Sequence, residues 1–362
     1  MIRVLALTKY GHNAASTRQR FLQYGPRLEA AGFTLSHAPL FDDSYLEKIN
    51  RGLRQNFWRI TLAYAERLAF LIHHSDADII WVQYELFPFM PALIERLAFM
   101  RGKPVIVDYD DAFFHNYDLH ESKLVRKLLG RKMAPLIRGA VSIVAGNQYL
   151  AKYVGRWNEN VVIIPTVVDT DAYVPQREGV VDRPVTIGWI GSPTTWTVYV
   201  RPYLELLQEI CKVTGARLLV VGAGDSAQRD HFDGMILRSW VESREVSDIH
   251  EMDLGIMPLP DDPWARGKCG YKLIQYMACG LPVVASPVGV NTDIVDDGVN
   301  GFLARDLDEW RAALTRLIND ANLRRTMGSA GRRRAVAAYS LEAQAPRLIA
   351  VLSGSVAPLK VK

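Results

Sequence analysis

Short apolar runs alternate with helical patterns along most of this chain, and this alternation constrains the fold more than any other feature. The runs include "IRVLALT", "DIIWVQY", "PVIVDYDD" and "SIVAGN". Each is apolar along nearly its whole length rather than at every second position, which is typical of strands buried on both faces of a parallel sheet. Helical patterns lie between them, so the sequence predicts an α/β fold with doubly wound parallel sheets.

The alternation stops once and starts again, which indicates two domains. The segment 169–184, "DTDAYVPQREGVVDRP", is polar and rich in helix and strand breakers, as linkers are. A chain of 362 residues is also longer than a single core usually grows, which is about 250–300 residues. Two such domains would face each other across a cleft at the carboxyl ends of their strands, where ligands bind in these sheets.

Composition limits the kind of protein this is. The chain has 43 basic and 39 acidic residues, a net charge of +4, which is too small an excess to indicate nucleic-acid binding. Its three cysteines form no CxxC pair, which favours a reduced, intracellular protein without a cysteine metal site. It contains no run of about 18 apolar residues, and "MIRVLALTKYG" does not resemble a signal peptide. We expect a cytoplasmic enzyme; peripheral contact with the inner face of a membrane stays open.

Basic residues and glycines gather in "WARGKCGYKLIQYMACGLPVVAS", where a helix should begin near Gly267. Such a helix would carry Lys268, Lys272 and Gln275 on one face. A helix N-terminus attracts phosphate because its N–H groups are unpaired and its dipole is positive there. The pattern fits an anion site, and it fits equally a solvated helix start.

The segment "KCGYKLIQYMACGLPVVASPVGVNTDIVDDGVNGFLA" resembles the donor-binding signature of the retaining family 4 glycosyltransferases (glycosyl transferases group 1). The order of elements fits the same GT-B fold over essentially the whole chain. The resemblance implies two Rossmann-like domains, which we place at 1–172 and 173–338, with 339–362 crossing back to the first. It also implies a nucleotide diphosphate sugar as donor, retention of configuration, and no metal or other cofactor.

Two family glutamates are missing from this signature. The second, which holds the ribose hydroxyls of the donor, falls on Gln275, which keeps hydrogen-bonding capacity without charge. The first, which binds the transferred sugar, falls on Gly267. That role is vacant or passes to Asp261, Asp262 or Lys268.

The resemblance assigns donor binding to loops at strand ends. Family members carry an arginine and a lysine on the diphosphate after the first strand of the second domain, where this chain reads "GWIGSPTT". We expect Lys268 and Lys272 to substitute for them. The predicted donor-binding residues are Gly11, Ser16, Arg18, Gly191, Ser192, Thr194, Lys268, Tyr271, Lys272, Gln275, Gly289, Val290 and Asn291.

Two loops of the first domain complete the predicted site. "KYGHNAASTRQRF" matches a small-residue loop that lies beside donor and acceptor in the family. The alternative is a capped helix with Ser16 or Thr17 as N-cap and Arg20 on the surface. In "VIVDYDDAFFH", the resemblance places Asp110 and Asp111 near the transferred sugar, and we predict both as catalytic. Paired carboxylates at a strand end are costly unless they meet a ligand or cation; the alternative is an N-cap of the next helix.

We therefore predict a transferase that moves a sugar from a UDP- or GDP-sugar to a glycan or lipid-linked acceptor in cell-surface polysaccharide or glycoconjugate synthesis. Alternatives are a non-catalytic sugar-nucleotide binder, favoured by the missing glutamate, and a nucleotide-sugar epimerase of the same fold. Two basic stretches, 50–70 and 123–140, fit either contact with an anionic membrane or an ordinary solvated surface.

Overall fold

The structure, a computed structural model, describes residues 1–50, 52–73, 76–176 and 183–356. Part of the predicted linker, residues 177–182, lies outside this described chain. The contacts divide the chain into two compact units. Unit 1 comprises Met1–Thr166, Gly267–Cys269 and the chain from Gln344, and unit 2 comprises Val167–Arg266 and Gly270–Ala343.

Unit 1 is built on a parallel sheet, which in the described residues has six strands in the order β2-β1-β3-β4-β5-β6. The strands are β1 (Ile2–Tyr10), β2 (Phe33–Phe41), β3 (Ile79–Gln83), β4 (Val105–Tyr109), β5 (Ser142–Ala145) and β6 (Val161–Ile163). β3, β4 and β5 are buried along their whole length, because helices cover both faces of the sheet. The strand order reverses between β1 and β3, and ligands of such sheets bind at that switch point.

The helices that precede β6 or connect it to β5 in unit 1 are short, with one exception. They are α1 (Ala15–Arg20), α2 (Gly25–Ala30), α3 (Asp43–Asn50), α4 (Phe57–His73), α5 (His115–Asp118), α6 (Lys123–Leu129), α7 (Ala134–Gly139) and α8 (Gln148–Val154), with 3-10 helices at Leu22–Tyr24 and Ala92–Phe99. α4 is the exception, with 17 residues.

Unit 2 has a second parallel sheet, with six described strands in the order β12-β11-β10-β7-β8-β9. The strands are β7 (Thr186–Ile190), β8 (Arg217–Val221), β9 (Met235–Arg238), β10 (Leu254–Met257), β11 (Val283–Ala285) and β12 (Gly301–Leu303). The order reverses between β7 and β10, as it does in dinucleotide-binding sheets. The predicted α/β class with two doubly wound sheets is confirmed.

Helices cover the second sheet and finish the chain. They are α9 (Pro193–Thr195), α10 (Leu204–Thr214), α11 (Asp225–Gln228), α12 (Glu245–His250), α13 (Pro263–Arg266), α14 (Tyr271–Ala278), α15 (Asn291–Ile294), α16 (Leu307–Asn319), α17 (Ala321–Tyr339) and α18 (Leu341–Val356). A π-helical turn, Trp196–Val200, and 3-10 turns at Arg201–Tyr203 and Glu242–Arg244 complete the set. From Gln344 onwards, α18 clusters with unit 1.

Candidate functional site

A buried ion pair lies at the end of β4 in unit 1. Arg20 Nε donates to Asp108 Oδ1 at 2.9 Å, and both side chains are almost fully buried. Arg20 Nη1 also donates to the carbonyl of Ile164 at 2.8 Å. A buried charge is stable only when it is paired and hydrogen-bonded. The interpretation of Arg20 as a surface residue is therefore wrong: α1 inserts it into the sheet end beside the predicted carboxylates.

Asp110, one of the two predicted catalytic residues, is also buried. It accepts a hydrogen bond from the hydroxyl of Tyr84, whose ring stacks on that of Phe113 with centroids 4.1 Å apart. Burial raises the pKa of the Asp110 carboxyl to about 6, and the Arg20 guanidinium opposes that shift. The group can therefore exist in either protonation state near neutral pH, as a positioned acid or base must.

Asp111 has a cation as its partner, as expected for paired carboxylates at a strand end. Its Oδ2 lies 2.7 Å from Lys268 Nζ, and both side chains are about one-fifth exposed. The alternative role as an N-cap is wrong, because α5 begins at His115 with Phe114 as its N-cap. Lys268 reaches Asp111 because Gly267–Cys269 clusters with unit 1, where the Asn147 amide donates to the carbonyls of Gly267 and Lys268, both at 3.1 Å.

No side chain fits at position 267. A Cβ built on Gly267 would lie 2.4 Å from the Cβ of Ala112 and 3.0 Å from its backbone nitrogen. The two aspartates proposed as substitutes make local contacts. Asp261 pairs with Arg266 at 2.6 Å at the surface, and Asp262 accepts from the backbone N–H of Ala265 at 2.7 Å.

The loop after β1 is held by its own side chains. Arg18 Nη1 donates to the carbonyls of His12, at 3.2 Å, and Asn13, at 2.9 Å. A Cβ on Gly11 would lie 2.5 Å from Asp43 Oδ1, so a larger residue there would require the Asp43 side chain to move. Ser16 lies inside α1, whose N-cap is Ala14, a residue without a side-chain acceptor. The capped-helix interpretation is therefore wrong.

In unit 2, the predicted donor loop follows β7. Ser192 is the N-cap of α9, and it forms a capping box in which Thr195 Oγ1 accepts from the Ser192 N–H at 3.0 Å. The side chains of Ser192 and Thr194 are exposed at this sheet edge. Gly191 lies against the ring of Trp189, and a Cβ built on Gly191 would lie 2.5 Å from that ring.

The helix predicted from Gly267 begins instead at Tyr271. Gly270, its N-cap, has φ +67°, a left-handed conformation that a right-handed helix cannot include. Lys268 thus lies outside α14, and the predicted shared face of Lys268, Lys272 and Gln275 is wrong. Lys272 remains in the first turn, with Nζ 5.7 Å from the centre of the Trp189 ring.

α14 connects the other predicted donor segments of unit 2. The Tyr276 hydroxyl accepts from the N–H of Ile190, the last residue of β7, at 3.0 Å. At its start, a Cβ on Gly270 would lie 3.1 Å from Val290 Cγ1. Because the Lys272 ammonium lies over the ring of Trp189, the first turn of α14 lies near the end of β7 as well as near the turn 289–291.

The turn 289–291 is tightly packed. Gly289 has φ +54°, and a Cβ on it would lie 2.8 Å from the carbonyl oxygen of Arg266. Asn291 is buried, with its amide donating to the Ser286 carbonyl at 3.0 Å and its backbone N–H donating to the Val288 carbonyl at 3.2 Å. The backbone N–H of Asn291, one of the predicted donor-binding residues, is thus already bonded within the protein.

Gln275 has a partner that the sequence did not reveal. Its amide donates to Glu245 Oε1 at 2.7 Å, and Glu245 also accepts from the Tyr173 hydroxyl and from Trp240 Nε1. Burial, with the adjacent carboxylate, raises the pKa of Tyr173 well above its ordinary value. Glu245 thus supplies a buried carboxylate beside the position where the family has its own. No motif in the sequence marked it.

Two further features bear on earlier expectations. Within residues 1–50, 52–73, 76–176 and 183–356, no three His, Cys, Asp or Glu side chains are grouped to hold a metal ion. No helix in the same ranges has the length and apolarity to cross a bilayer. The metal-free reaction stays a prediction.

Two family models match the chain. The model described as Glycosyl transferases group 1 matches residues 184–320, and the one described as Glycosyltransferase Family 4 matches residues 27–172. Among curated proteins, a GDP-mannose-dependent alpha-(1-6)-phosphatidylinositol monomannoside mannosyltransferase of Mycolicibacterium smegmatis is 25% identical over 329 residues, 80% of each chain.

Solved structures resemble the chain over nearly its whole length. Sucrose-phosphate synthase of Thermosynechococcus elongatus has a TM-score of 0.72 at 16% identity, covering 98% of this chain and 99% of its own. Anabaena HepE in complex with UDP has a TM-score of 0.72 at 15% identity, covering 98% and 100%. At these identities the likeness shows the fold, and it confirms the predicted GT-B architecture.

Proposed function

We propose that this chain, which belongs to the family 4 glycosyltransferases of group 1 with the GT-B fold, moves a hexose-type sugar from a UDP- or GDP-sugar to a hydroxyl group. The family makes it a glycosyltransferase; the donor, acceptor and stereochemistry are the proposal. The acceptor is a glycan or a lipid-linked sugar in cell-surface polysaccharide or glycoconjugate synthesis. Retention of configuration without a metal is the expectation from the family resemblance.

The convergence of donor segments on α14 carries this proposal. The first turn of α14 lies near the end of β7 and near the turn 289–291, at the switch point of a parallel sheet. Lys272 and the positive end of the helix dipole would neutralise the leaving diphosphate there, an electrostatic role that grows as the charge develops. Since Lys268 Nζ pairs with Asp111, Lys272 is our first candidate for the phosphate contact.

The relatives support a nucleotide diphosphate sugar and leave both bases as candidates. The mycobacterial relative is named as GDP-mannose-dependent, and the Anabaena structure contains UDP. In our proposal Asp110 positions the transferred sugar or the acceptor hydroxyl, and the Lys268–Asp111 pair fixes the segment beside it.

Binding of UDP, GDP and ADP by isothermal titration calorimetry tests the donor site. Lys272→Ala should weaken binding of the preferred diphosphate about tenfold or more, since a charge-assisted contact contributes at least about 1.4 kcal/mol. Lys212→Ala, which removes an exposed lysine of α10 in the same unit, is the matched control. Equal affinity of both variants and the unaltered chain would remove the phosphate assignment.

Product analysis tests the transfer reaction, its stereochemistry and its independence of metal. Incubation with the preferred donor and an acceptor panel in EDTA should give a glycoside with the anomeric configuration of the donor, read by NMR. Loss of activity in EDTA that added metal restores would contradict a metal-free reaction. A product with the inverted anomeric configuration would contradict retention. Epimerisation of the donor sugar in the absence of an acceptor would show an epimerase in place of the proposed transferase.

A further inference from the structure

We propose that unit 1 docks onto an anionic lipid surface through exposed apolar side chains of α4, of the loop 87–93 and of α6. We call this set the docking surface, and it is represented by Trp58, Leu62, Phe89, Met90, Leu124 and Leu128, all exposed. The proposal stands apart from the proposed sugar transfer, because the binding it describes needs neither donor nor acceptor.

α4 presents an apolar face outward along most of its length. Trp58, Leu62, Ala65 and Ala69 recur at helical spacing and are all exposed, Trp58 to 76%. The opposite face is buried or half-buried, and it contains the buried Arg67, whose guanidinium donates to main-chain carbonyls. α4 differs from an ordinary surface helix because most of its exposed positions carry apolar side chains, with Arg59 and Glu66 as the exposed charges. A helix apolar on its outer face needs something to cover that face.

The loop 87–93 holds an aromatic ring outward at a conformational cost. Phe89 is 56% exposed and has φ +57°, a left-handed conformation that is rare for a bulky residue. Its N–H donates to the Tyr117 hydroxyl at 3.0 Å, and that hydroxyl donates to the buried carboxylate of Glu85 at 2.7 Å. The loop is therefore fixed from beneath with its ring toward solvent.

α6 has the arrangement of an interfacial helix on a small scale. Leu124 and Leu128 lie one turn apart, and they are 64% and 66% exposed. Lys123 and Lys127 lie one turn apart beside them and are also exposed. Leucines next to lysines on one exposed face suit insertion between lipid head groups, with the ammonium groups remaining at the phosphates.

Contacts within unit 1 join these three segments. From α4, the Tyr64 hydroxyl donates to the carbonyl of Pro88 at 2.7 Å. The Phe89 ring lies 5.2 Å from that of Tyr117 in α5 and 6.5 Å from that of His120, just before α6. The exposed apolar groups thus belong to one connected part of unit 1 rather than to scattered positions.

Charge selects the occupant. In residues 54–69, 87–93 and 119–131 the exposed cations are Arg54, Arg59, Lys123, Lys127 and Arg131, and the exposed acids are Glu66 and Glu121. A second copy of the chain meeting this surface through a two-fold axis would bring like charges together. An anionic lipid surface neutralises them, and each basic residue near it raises binding about fivefold.

Unit 2 provides the contrast. Its large apolar side chains that are exposed, among the described residues, are valines and one leucine, Leu307. Exposed Phe, Trp and Met of the described chain lie in unit 1. Aromatic side chains suit the boundary between water and lipid, whereas scattered valines are ordinary surface.

Vesicle flotation of the full chain, without nucleotide or acceptor, tests the proposal. We expect binding to vesicles of phosphatidylcholine with about one-third phosphatidylglycerol, weaker binding in 0.5 M salt, and little binding to phosphatidylcholine alone. The double variant Trp58→Ser/Phe89→Ser should bind at least tenfold less. Lys123→Glu/Lys127→Glu should lose most of the preference for the anionic lipid.

Val213→Ser and Lys212→Glu, exposed positions of α10 in unit 2, are the matched controls and should bind as the unaltered chain does. Because every altered side chain is exposed, each variant should keep its thermal stability, which circular dichroism checks. No binding to the anionic vesicles, or equal loss in the controls, would overturn the proposal. So would sedimentation showing a dimer that Trp58→Ser/Phe89→Ser dissociates, with no vesicle binding; a second copy would then cover the surface.

Discussion

Replacing Gly267 by alanine should destabilise unit 1, although alanine is the smallest residue with a Cβ. The new Cβ would lie 2.4 Å from the Cβ of Ala112 and 3.0 Å from its nitrogen, whereas apolar carbons rest about 3.5–4.0 Å apart. One of the two segments must move by more than an ångström, and the contacts of Asn147 and of Asp111 with this segment would stretch with it.

Overpacking of this kind costs about 1–3 kcal/mol. For a unit of this size we expect Tm to fall by roughly 2–10 °C, with a lower urea midpoint at unchanged slope. Gly267→Glu, which restores the glutamate of the family, should destabilise at least as much and should not raise the rate of sugar transfer. Thermal and urea unfolding measure the stability of each variant, and a turnover assay with the donor measures its rate of sugar transfer.

Gly25→Ala is the matched control. Gly25 has helical backbone angles and nothing within 4 Å of its Cβ position, so alanine there should be neutral or stabilise by about 0.4–1 kcal/mol. Adding Ala112→Gly to Gly267→Ala removes the closest contact and should restore part of the loss. A Gly267→Ala variant as stable as the parent chain, or a Gly267→Glu variant with faster transfer, would refute the steric explanation for the absent glutamate.

Three further predictions concern the buried polar groups. Arg20→Met should lower the free energy of unfolding by about 3–5 kcal/mol in urea titrations, because it leaves the Asp108 carboxylate buried without its cation, and Asp108→Leu in the same chain should recover much of that loss. The Asp110 pKa of about 6, against an ordinary 3.8, means that the native state holds this proton more tightly than the unfolded chain. The free energy of unfolding should therefore fall by about 3 kcal/mol as the pH rises from about 4 through 6. An Asp110→Asn variant should show a flatter profile of stability against pH. Gln275→Glu sets a second carboxylate against Glu245, where the amide nitrogen now lies 2.7 Å away. The Tm of this variant should therefore be lower at pH 8 than at pH 5. A Tm difference from the unaltered chain that is the same at both pH values would argue against repulsion.

The sequence predicted the fold because its signal is local and repeated. Continuous apolar runs of strand length, and the helices between them, can be recognised from residues that are neighbours in the sequence. The family resemblance of the donor segment likewise rests on one continuous stretch of sequence. The errors concern contacts between residues far apart in sequence. The alternative that left Arg20 on the surface stayed open because Asp108, its partner, lies 88 residues away.

The helix start shows the same limit. Spacing alone allowed a helix from Gly267, but the left-handed Gly270 and the packing of Gly267 on Ala112 place that segment elsewhere. Glu245 was missed for a related reason: the carboxylate beside Gln275 comes from a helix 30 residues earlier, and its burial is a property of the folded unit.

The discontinuity of unit 1 has a consequence for biosynthesis. Its main part ends at Thr166, yet it also includes Gly267–Cys269 and the chain from Gln344. At about 5–20 residues per second, a ribosome releases the last of these pieces on the order of ten seconds or more after the first part is complete. Until residues 267–269 are made, Asn147 lacks the carbonyls that it binds in the finished protein, and Asp111 lacks its lysine. The main part of unit 1 is therefore translated before unit 2, but its last piece is translated after unit 2, so removing the chain from Gln344 onwards would harm the unit that contains residues 1–166.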